Sequence, residues 1–317
     1  MAITTRAAIA VGKGEPLVVE EVELRDPRPG EVIVESRASG LCHTDLSIVD
    51  GVFPVPLPCI AGHEGAGIVR QCGAGVTLVR PGDHVIVNNA YHCGQCPPCR
   101  RGKTSFCERA MQADQLPFRW RGEPLRALGG AGSFAAHCVV AEDKLTVIPE
   151  DVPFEAAALV PCGVMTGTGA VWNVARVEPG STVVVFGLGS IGLNVVQAAR
   201  LSGAARIVAI DTNPAKEAVG RTFGATEFVN PRALSEPVDR HVAALLGGPA
   251  DYAFECIGNV DLLALAVSMV SPYWGTCLAV GIPPHDAAIT LPGSTFYFGR
   301  TVRGTFLGDN NPLTDTP

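Results

Sequence analysis

Residues 183–192 read V-V-V-F-G-L-G-S-I-G, a short apolar run followed directly by a glycine-rich turn. The apolar run predicts a buried strand, and residues 193–201, whose apolar positions have helical spacing, predict a helix after the turn. Three glycines at this spacing permit a tight turn, close approach of a ligand to the backbone and close packing of helix on strand. The stretch therefore predicts a β-turn-α unit.

A second predicted strand, residues 206–210, ends beside Asp211 and makes the glycine turn a candidate dinucleotide site. Free N–H groups at a helix N-terminus favour a pyrophosphate. A carboxylate at Asp211 can accept hydrogen bonds from ribose hydroxyls and would repel a 2′-phosphate, which favours NAD over NADP. A structural glycine turn with a helix-capping Asp remains the alternative. The candidate cofactor residues of the turn are Gly187, Leu188, Gly189, Ser190, Ile191 and Gly192.

The alternation of strand and helix patterns continues after residue 211. It predicts a doubly wound parallel sheet covered by helices on both faces, an α/β fold. The predicted elements are residues 214–223, 227–229, 238–246, 252–256, 260–270 and 276–280.

The first 90 residues have a different pattern, in which short apolar runs alternate with Pro- and Gly-containing turns. The runs at residues 17–22, 31–35, 67–69 and 84–87 predict a β-rich domain of many short strands.

Four cysteines lie close together in a loop without helical or strand period: Cys93, Cys96, Cys99 and Cys107. The spacing suits one tetrahedral Zn²⁺ ion, with thiolates about 2.3 Å from the metal. Disulfides or unliganded thiols are the alternatives, and both fit less well in a chain without secretory features. Because protein would occupy all four positions, this ion is expected to be structural.

A second metal site is suggested by Cys42, His63 and Cys162, which lie far apart in the sequence. Three ligands of the Cys, His, Cys type leave a fourth position for water or substrate, as in catalytic zinc sites. Asp45 and Glu64 could orient these ligands by accepting their N–H groups. Taken singly, a structural histidine and a core cysteine are the ordinary interpretations.

The composition favours two globular domains and a small-molecule partner. The 317 residues are 47% hydrophobic, and the net charge of −7 with scattered Lys and Arg argues against nucleic acid or a membrane surface as partner. The N-terminus lacks the apolar core of a signal peptide, and no apolar run looks long and uninterrupted enough to span a bilayer, so we expect a cytoplasmic protein. The other cysteines read as small core residues: Cys59, Cys72, Cys138, Cys256 and Cys277.

Several motifs occur together in the order found in one family. They are G-L-C-H-T-D (40–45), G-H-E-G-A-G (62–67), P-G-D-H-V (81–85), the four-cysteine loop, P-C-G-V-M-T-G (161–167), G-L-G-S-I-G (187–192) and Asp211. Along its whole length the chain resembles the zinc-dependent medium-chain alcohol dehydrogenases. The resemblance implies a GroES-like β-rich catalytic domain, a Rossmann cofactor domain, two zinc ions per chain and NAD.

The resemblance also implies domain bounds. We expect the catalytic zinc domain at residues 1–163, with the structural zinc loop at 93–107, and the NAD-binding domain at 164–296. Residues 297–317 would begin the return to the catalytic domain. Members of the family continue several dozen residues further, so the chain is expected to be C-terminally short. A homo-dimer or homo-tetramer is expected.

Residue roles follow from the resemblance as well. Cys42, His63 and Cys162 would hold the catalytic zinc, with Asp45 and Glu64 beside them, and the four loop cysteines would hold the structural zinc. The remaining implied roles are proton transfer by Thr44, pyrophosphate contact by His43, approach to the nicotinamide by Thr166 and contact with the adenosine ribose by Lys216.

Two positions depart from common family patterns. Ser47 stands where many members end a proton relay with His, and a hydroxyl cannot act as a base at neutral pH. Phe53 stands where glutathione-using formaldehyde dehydrogenases of the family tend to carry an acid. We therefore expect interconversion of an apolar or aromatic primary alcohol and its aldehyde.

Two alternative functions remain open. One is a nicotinoprotein, which retains NAD and passes electrons to an external acceptor. The other is a catalytically silent shortened form that binds zinc and dinucleotide. A zinc-free reductase of the quinone type is disfavoured, because such proteins lack the four-cysteine loop.

Overall fold

The computed structural model describes residues 3–89, 92–112 and 116–316. The chain divides into two compact units, Met1–Met165 with Asn311–Pro317, and Thr166–Asn310. The domain boundaries expected from the sequence, at 163/164 and 296/297, stay predictions. Each unit has its own architecture and is described separately.

Short strands form two sheets in the first unit. They are β1 Ile3–Ala10, β2 Val18–Leu24, β3 Glu31–Ser39, β4 Cys59–Ile60, β5 Gly65–Cys72, β6 His84–Val87, β7 Phe118–Trp120, β8 Glu123–Ala127, β9 His137–Ala141 and β10 Leu145–Val147. Strands β1, β2, β7, β8 and β4 close into a barrel, and β10, β6, β5, β3 and β9 form a five-stranded sheet. The predicted β-rich domain is confirmed.

The barrel core follows from alternation of side chains along the strands. In β2, Val22 and Leu24 point inward, while Glu23 between them is exposed. Ile9 and Phe118 are also at most 1% exposed. Each fully buried side chain of this size stabilises the fold by about 1.5–3 kcal/mol relative to an exposed one.

Helical segments of the first unit are short and carry most of its polar motifs. The helices are α1 His43–Val49, α2 Pro97–Arg100, α3 Glu108–Gln112 and α4 Phe154–Ala157. Tighter 3₁₀ turns occur at Thr104–Phe106, Leu128–Gly130 and Glu142–Lys144, and a π-helical turn occurs at Val160–Val164.

The second unit is a six-stranded parallel sheet with helices between its strands. The elements are α5 Met165–Gly169, a π-helical turn Ala170–Ala175, β11 Thr182–Phe186, α6 Ser190–Leu201, β12 Arg206–Ile210, α7 Lys216–Phe223, β13 Glu227–Val229, α8 Val238–Leu246, β14 Tyr252–Glu255, α9 Val260–Met269, β15 Thr276–Ala279 and β16 Thr301–Gly304, with 3₁₀ turns at Pro231–Ala233, Gly293–Phe296 and Leu307–Asp309. The strand order is β13-β12-β11-β14-β15-β16. A final helix, α10 Pro312–Asp315, belongs to the first unit.

The centre of this sheet is apolar on both faces. Val183, Val184 and Val185 of β11 are 0% exposed, and Val183 and Val184 pair with Ile207 and Val208 of β12. Continuous apolar runs are typical of parallel strands covered by helices on both sides. The predicted doubly wound sheet is confirmed.

One helical run is more apolar than the sequence suggested. Phe154–Ala175 is long and apolar enough, by length and composition, to cross a membrane, but 61% of its 18-residue apolar window is buried inside the protein. In the sequence, Pro161, Gly163, Gly167 and Gly169 interrupt this apolar run. A mostly buried core helix passes the same length and composition test, so the finding is weak support for a membrane span.

The five cysteines outside the predicted metal sites lie among apolar side chains. Cys59, Cys138 and Cys277 are at most 1% exposed, and Cys72 and Cys256 pack against hydrophobic clusters. Burial raises the pKa of Cys59 to about 11 and those of Cys138 and Cys277 to about 12. They are small core residues, as predicted.

Candidate metal and cofactor sites

The thiols of Cys93, Cys96, Cys99 and Cys107 converge on one point. Their sulfur atoms all lie within 4.8 Å of one another, and Cys96 Sγ lies 3.9 Å from Cys107 Sγ. A disulfide needs about 2.05 Å, and all four are free cysteines. Four sulfur atoms at this spacing suit the corners of one Zn²⁺ tetrahedron.

Backbone donors prepare part of this loop for a cation. The N–H groups of Gln95 and Cys96 donate to Cys93 Sγ at 3.5 and 3.3 Å. Donation from Gln95 and Cys96 lowers the pKa of Cys93 to about 6, against a smaller opposing effect of burial. Because the thiolate is the metal-binding form, this favours the ion.

A second group joins Cys42, His63, Glu64 and Cys162, whose ligand atoms lie within 4.8 Å of one another. Cys42 precedes α1, His63 and Glu64 precede β5, and Cys162 lies in the π-helical turn Val160–Val164. Cys42 Sγ and Cys162 Sγ are 4.0 Å apart. The structure thus brings together the three predicted zinc ligands. Glu64, predicted only to orient them, lies within the group itself.

Asp45 links two of these ligands. Its carboxylate accepts the N–H groups of Cys42 at 3.1 Å and Gly62 at 2.9 Å. His63 Nδ1 lies 3.3 Å from Asp45 Oδ1, an ion-pair distance, but the angle does not make a hydrogen bond. Because the two side chains are each 3% exposed, little water screens this short approach. The Asp45 carboxylate therefore orients both the Cys42 and the His63 side of the group.

The protonation of the group fits a divalent cation. Donation from the Cys162 thiol, with the nearby His63, lowers the pKa of Cys42 to about 4 despite burial. Burial and the Cys42 charge raise the pKa of Glu64 to about 7. Although burial opposes it, the Asp45 and Cys42 charges raise the pKa of His63 to about 10. Protons are thus shared among closely spaced ligands, and Zn²⁺ binding would release them.

Gly40 makes room for the Glu64 carboxylate. A Cβ on Gly40 would overlap Glu64 Oε2, and the Gly40 N–H donates to the Glu64 carbonyl oxygen at 2.8 Å. The Ser39 hydroxyl donates to the same carbonyl at 2.9 Å. Sequence reasoning did not assign Gly40 or Ser39 a role, because the close approach joins residues distant in the chain.

Helix α1 carries the predicted proton-transfer residues. Thr44 Oγ1 lies 3.5 Å from Cys42 Sγ, so the structure places this hydroxyl at the edge of the metal group. His43 is exposed, and Ser47 lies one turn further along α1, half-buried. The carbonyl oxygen of Ser47 accepts the N–H groups of Val52 and Phe53.

The sequence analysis did not predict the contact between Lys144 and Gly129. Lys144, 7% exposed, donates from Nζ to the Gly129 carbonyl oxygen at 2.5 Å. Gly129 has φ +60°, and a Cβ there would lie 3.6 Å from His63 Cβ and 2.5 Å from Asn89 Oδ1. Lys144 therefore fixes a backbone segment beside His63. The Gly129-Gly130 pair was the only signal in the sequence.

The glycine turn has the predicted form. Gly187 has φ +86°, and a Cβ on Gly192 would overlap the Gly187 carbonyl oxygen, so helix and turn pack at the closest distance. Gly189 and Ser190 are exposed at the start of α6, while Leu188 is fully buried and Ile191 is half-buried. Free N–H groups of a 12-residue helix therefore face outward at this end.

Asp211 is tied to the glycine turn. Its carboxylate accepts the Leu188 N–H at 2.8 Å and the Asn213 N–H at 2.9 Å. It lies directly after β12, half-buried, and Lys216 begins α7 nearby in the chain. Thr166 is 6% exposed, and its Oγ1 makes no hydrogen bond within the residues that the structure describes. Its neighbour Gly167 packs against Ile191 and Asn194 of α6.

Comparison with known families matches both parts of the chain. Residues 28–150 match the model described as the alcohol dehydrogenase GroES-like domain. Residues 190–316 match the model described as zinc-binding dehydrogenase.

Three relatives illustrate the similarity. The class-3 alcohol dehydrogenase of Pisum sativum is 39% identical over 325 residues, covering 99% of this chain and 86% of its own. The S-(hydroxymethyl)glutathione dehydrogenase of Escherichia coli O1:K1 / APEC is 40% identical over 317 residues, and the match covers 96% of this chain and 85% of that protein. The benzyl alcohol dehydrogenase structure from Acinetobacter calcoaceticus aligns with a TM-score of 0.92 at 29% identity, and the match covers 99% of this chain and 87% of that structure's chain. The chain therefore belongs to the zinc-dependent medium-chain alcohol dehydrogenase family and is an NAD-dependent zinc alcohol dehydrogenase.

Proposed function

We propose that the chain interconverts a primary alcohol, apolar or aromatic, and its aldehyde, with hydride exchanged between the substrate carbon and NAD. The convergence of Cys42, His63 and Cys162, whose ligand atoms lie within 4.8 Å together with Glu64, supports the proposal most strongly. Three ligands of this composition are typical of catalytic zinc, which keeps a position for substrate.

These three side chains would hold the catalytic zinc, and Cys93, Cys96, Cys99 and Cys107 the structural one. Zinc bound at the first group supplies a Lewis acid that makes a substrate hydroxyl easier to ionise. Asp45 keeps Cys42 and His63 in place through the contacts described above. Glu64 adds a buried carboxylate to the group, which favours a dication over a monovalent ion.

Proton transfer is assigned to Thr44. Its hydroxyl lies 3.5 Å from Cys42 Sγ and can pass the substrate proton outward. Ser47, one turn further along α1, cannot serve as a base at neutral pH. The proton would therefore leave through Thr44 toward the cofactor ribose and water, and hydride transfer would depend on pH less steeply than in a relative with His at this position.

Cofactor binding is assigned to the second unit, together with His43. NAD, when bound, accepts or returns the hydride. The exposed start of α6 at Gly189 and Ser190 would hold its pyrophosphate, with His43 as a further contact. The Asp211 carboxylate accepts two backbone hydrogen bonds and has further lone pairs, which would accept hydrogen bonds from the ribose hydroxyls. Lys216 would contact the same sugar. Thr166, whose buried hydroxyl has no hydrogen-bond partner among the residues that the structure describes, is assigned to the nicotinamide.

The substrate class is supported by Phe53 and by one relative. Phe53 packs partly buried against Ile48 and Cys59, in place of an acid. The structural relative from Acinetobacter calcoaceticus is named for benzyl alcohol. S-hydroxymethylglutathione is the second candidate, because the 40% identical relative is named for it.

The test is zinc content combined with a substrate scan. We expect two zinc ions per chain, and reduction of NAD in the presence of benzyl alcohol at a much higher rate than with S-hydroxymethylglutathione. Cys42→Ala should lose one ion and nearly all turnover, while Cys72→Ala, a thiol outside both groups, should keep both. Full turnover by Cys42→Ala with one ion would overturn the assignment, and a preference for the glutathione adduct would overturn the substrate class.

We also propose a homo-dimer or homo-tetramer in the cytoplasm. Strand β16 lies at the edge of the parallel sheet, and Tyr273, Trp274 and Phe298 are each at least 60% exposed. An open strand edge beside exposed aromatic side chains suits association. All eleven cysteines are free, which suits a reducing compartment. Light scattering after size exclusion tests the assembly, and a monomer would overturn it. Cell fractionation tests the compartment.

A further inference from the structure

Glu255 is a buried carboxylate at the end of β14 that none of the proposed reaction steps uses. It is 1% exposed, and β14 pairs with β11 so that Glu255 stands opposite Phe186, directly before Gly187. Burying a carboxylate is unfavourable unless hydrogen bonds compensate for the lost water. Burial accordingly raises the pKa of Glu255, and three backbone donors oppose that rise.

The compensating hydrogen bonds all come from the turn that follows the strand. The N–H groups of Ile257, Gly258 and Asn259 donate to Glu255 Oε1 at 2.8, 2.9 and 3.4 Å, and Gly258 also reaches Oε2 at 3.0 Å. One side chain therefore sets the direction of three successive peptide groups. Asn259 is also tied to helix α9, because its side-chain oxygen accepts the Asp261 and Leu262 N–H groups at 2.9 and 3.0 Å.

This turn packs directly on the glycine turn of the cofactor site. A Cβ on Gly187 would lie 2.6 Å from Ile257 Cγ1, and a Cβ on Gly258 would lie 2.4 to 2.7 Å from the Ile282 carbonyl. A side chain at Gly187 or at Gly258 would therefore collide with the segment that faces it. The Ile257 side chain remains 50% exposed above Gly187.

We propose that Glu255 is a positioning residue for the cofactor site. By anchoring the 257–259 turn, it holds Ile257 as an apolar wall against Gly187, where the dinucleotide passes. The inference rests on the proposed function, because it takes the glycine turn as the place where NAD binds. It assigns Glu255 no contact with the cofactor and no proton in the reaction.

The test compares NADH affinity, measured by the fluorescence of NADH, across variants of the full zinc-loaded chain. Glu255→Ala leaves the three N–H groups without their acceptor, so the turn should loosen and the Kd for NADH should rise at least tenfold. Glu255→Gln keeps one acceptor oxygen on a side chain of the same length, so the Kd for NADH should rise only a few-fold. Hydrogen exchange of the Ile257 to Asn259 amides should accelerate in the same order. Zinc content should stay at two ions in all variants.

Asp251 provides a matched control at the opposite end of the same strand. Its carboxylate accepts from the Thr182 N–H at 2.8 Å and from Trp274 Nε1 at 2.8 Å. Asp251→Asn should lower thermal stability, as Glu255→Ala does, and leave the Kd for NADH unchanged.

Several outcomes would overturn the proposal. An unchanged Kd in Glu255→Ala with lower stability would make the role purely structural, and an equal rise in Asp251→Asn would make the effect general to the sheet. If Glu255→Ala does not fold, Glu255→Gln serves as the test. An unchanged Kd for NADH together with unchanged amide exchange in Glu255→Gln would contradict the proposal. Failure of the wild-type chain to bind NADH would instead overturn the proposed function.

Discussion

Asp45 shows at the scale of one residue how a side chain can hold a metal group without being a ligand. It reaches the Cys42 and Gly62 N–H groups and lies 3.3 Å from His63 Nδ1. Replacing Asp45 with Asn puts an NH₂ group where an oxygen accepts, so at least one of these contacts is lost. Outer contacts of this kind typically change metal affinity by about 10–100-fold.

We therefore expect Asp45→Asn to release zinc from the Cys42 group at a chelator concentration about 10–100-fold lower than the wild-type chain. Native mass spectrometry at each chelator concentration would measure the number of ions retained. Asp50→Asn, on the exposed end of the same helix, should behave like the wild-type chain. Equal retention by Asp45→Asn would show that Asp45 does not position the ligands.

Lys144 gives a prediction on pH. Burial lowers its pKa to about 8, below the usual value of about 10.4. Between these values the unfolded chain keeps the proton that the folded chain has lost. The unfolded state then binds more protons, so this residue makes the free energy of unfolding rise with pH. The rise is at most about 1.36 kcal/mol per pH unit.

Lys144→Met should remove this rise between about pH 8 and 10. Urea unfolding of both proteins across the range would measure it as a difference, in which other titrating groups cancel. Lys13→Met, an exposed lysine of the same unit, should leave the slope unchanged. Parallel stability curves for the wild-type chain and Lys144→Met would contradict the expectation.

The residue scale also shows where sequence reasoning stops. Cys42, His63 and Cys162 could be named because thiols and imidazoles are recognisable as zinc ligands wherever they occur. Their convergence, and the entry of Glu64 into the group, depend on Gly40 and on contacts between β-strands and loops. Such contacts join residues far apart in the chain, so no local pattern carries them.

At the scale of elements, prediction succeeded where one pattern determines the element. The apolar runs at 206–210 and 227–229 became β12 Arg206–Ile210 and β13 Glu227–Val229. The π-helical turn Val160–Val164 could not be predicted, because its wider hydrogen bonding depends on the packing around it. The parallel pairing of Cys59 with Arg126 that helps close the barrel is equally non-local.

The four-cysteine loop should depend on its metal more than any other element does. Its helix α2 and its 3₁₀ turn have only 4 and 3 residues, too few to be stable alone. Cys99→Ser should therefore lose one zinc ion and increase hydrogen exchange of residues 92–112, with the parallel sheet unaffected. Exchange mass spectrometry would locate the change. Cys138→Ala, a thiol outside the loop, should leave exchange in 92–112 unchanged, and unaltered exchange in Cys99→Ser would contradict a metal-dependent loop.

For the whole molecule, binding of cofactor should appear as thermal stabilisation. A ligand that binds only the folded state, at about 100 times its Kd, adds about 2.7 kcal/mol to the free energy of unfolding. Because the Asp211 carboxylate would repel a 2′-phosphate, NADH should raise the melting temperature by several degrees, and NADPH at the same concentration much less. Differential scanning fluorimetry would compare them, and equal shifts would contradict the assignment of Asp211.

The cysteines differ in chemical character according to their surroundings. Burial keeps Cys59, Cys138 and Cys277 as neutral thiols with pKa values near 11 or 12, whereas Cys42 and Cys93 ionise far more easily. An alkylating reagent used near neutral pH reacts with thiolates, so its labelling pattern would report how much metal is bound. Iodoacetamide should mark metal-depleted protein first at Cys42 and Cys93, and spare both in the fully loaded enzyme.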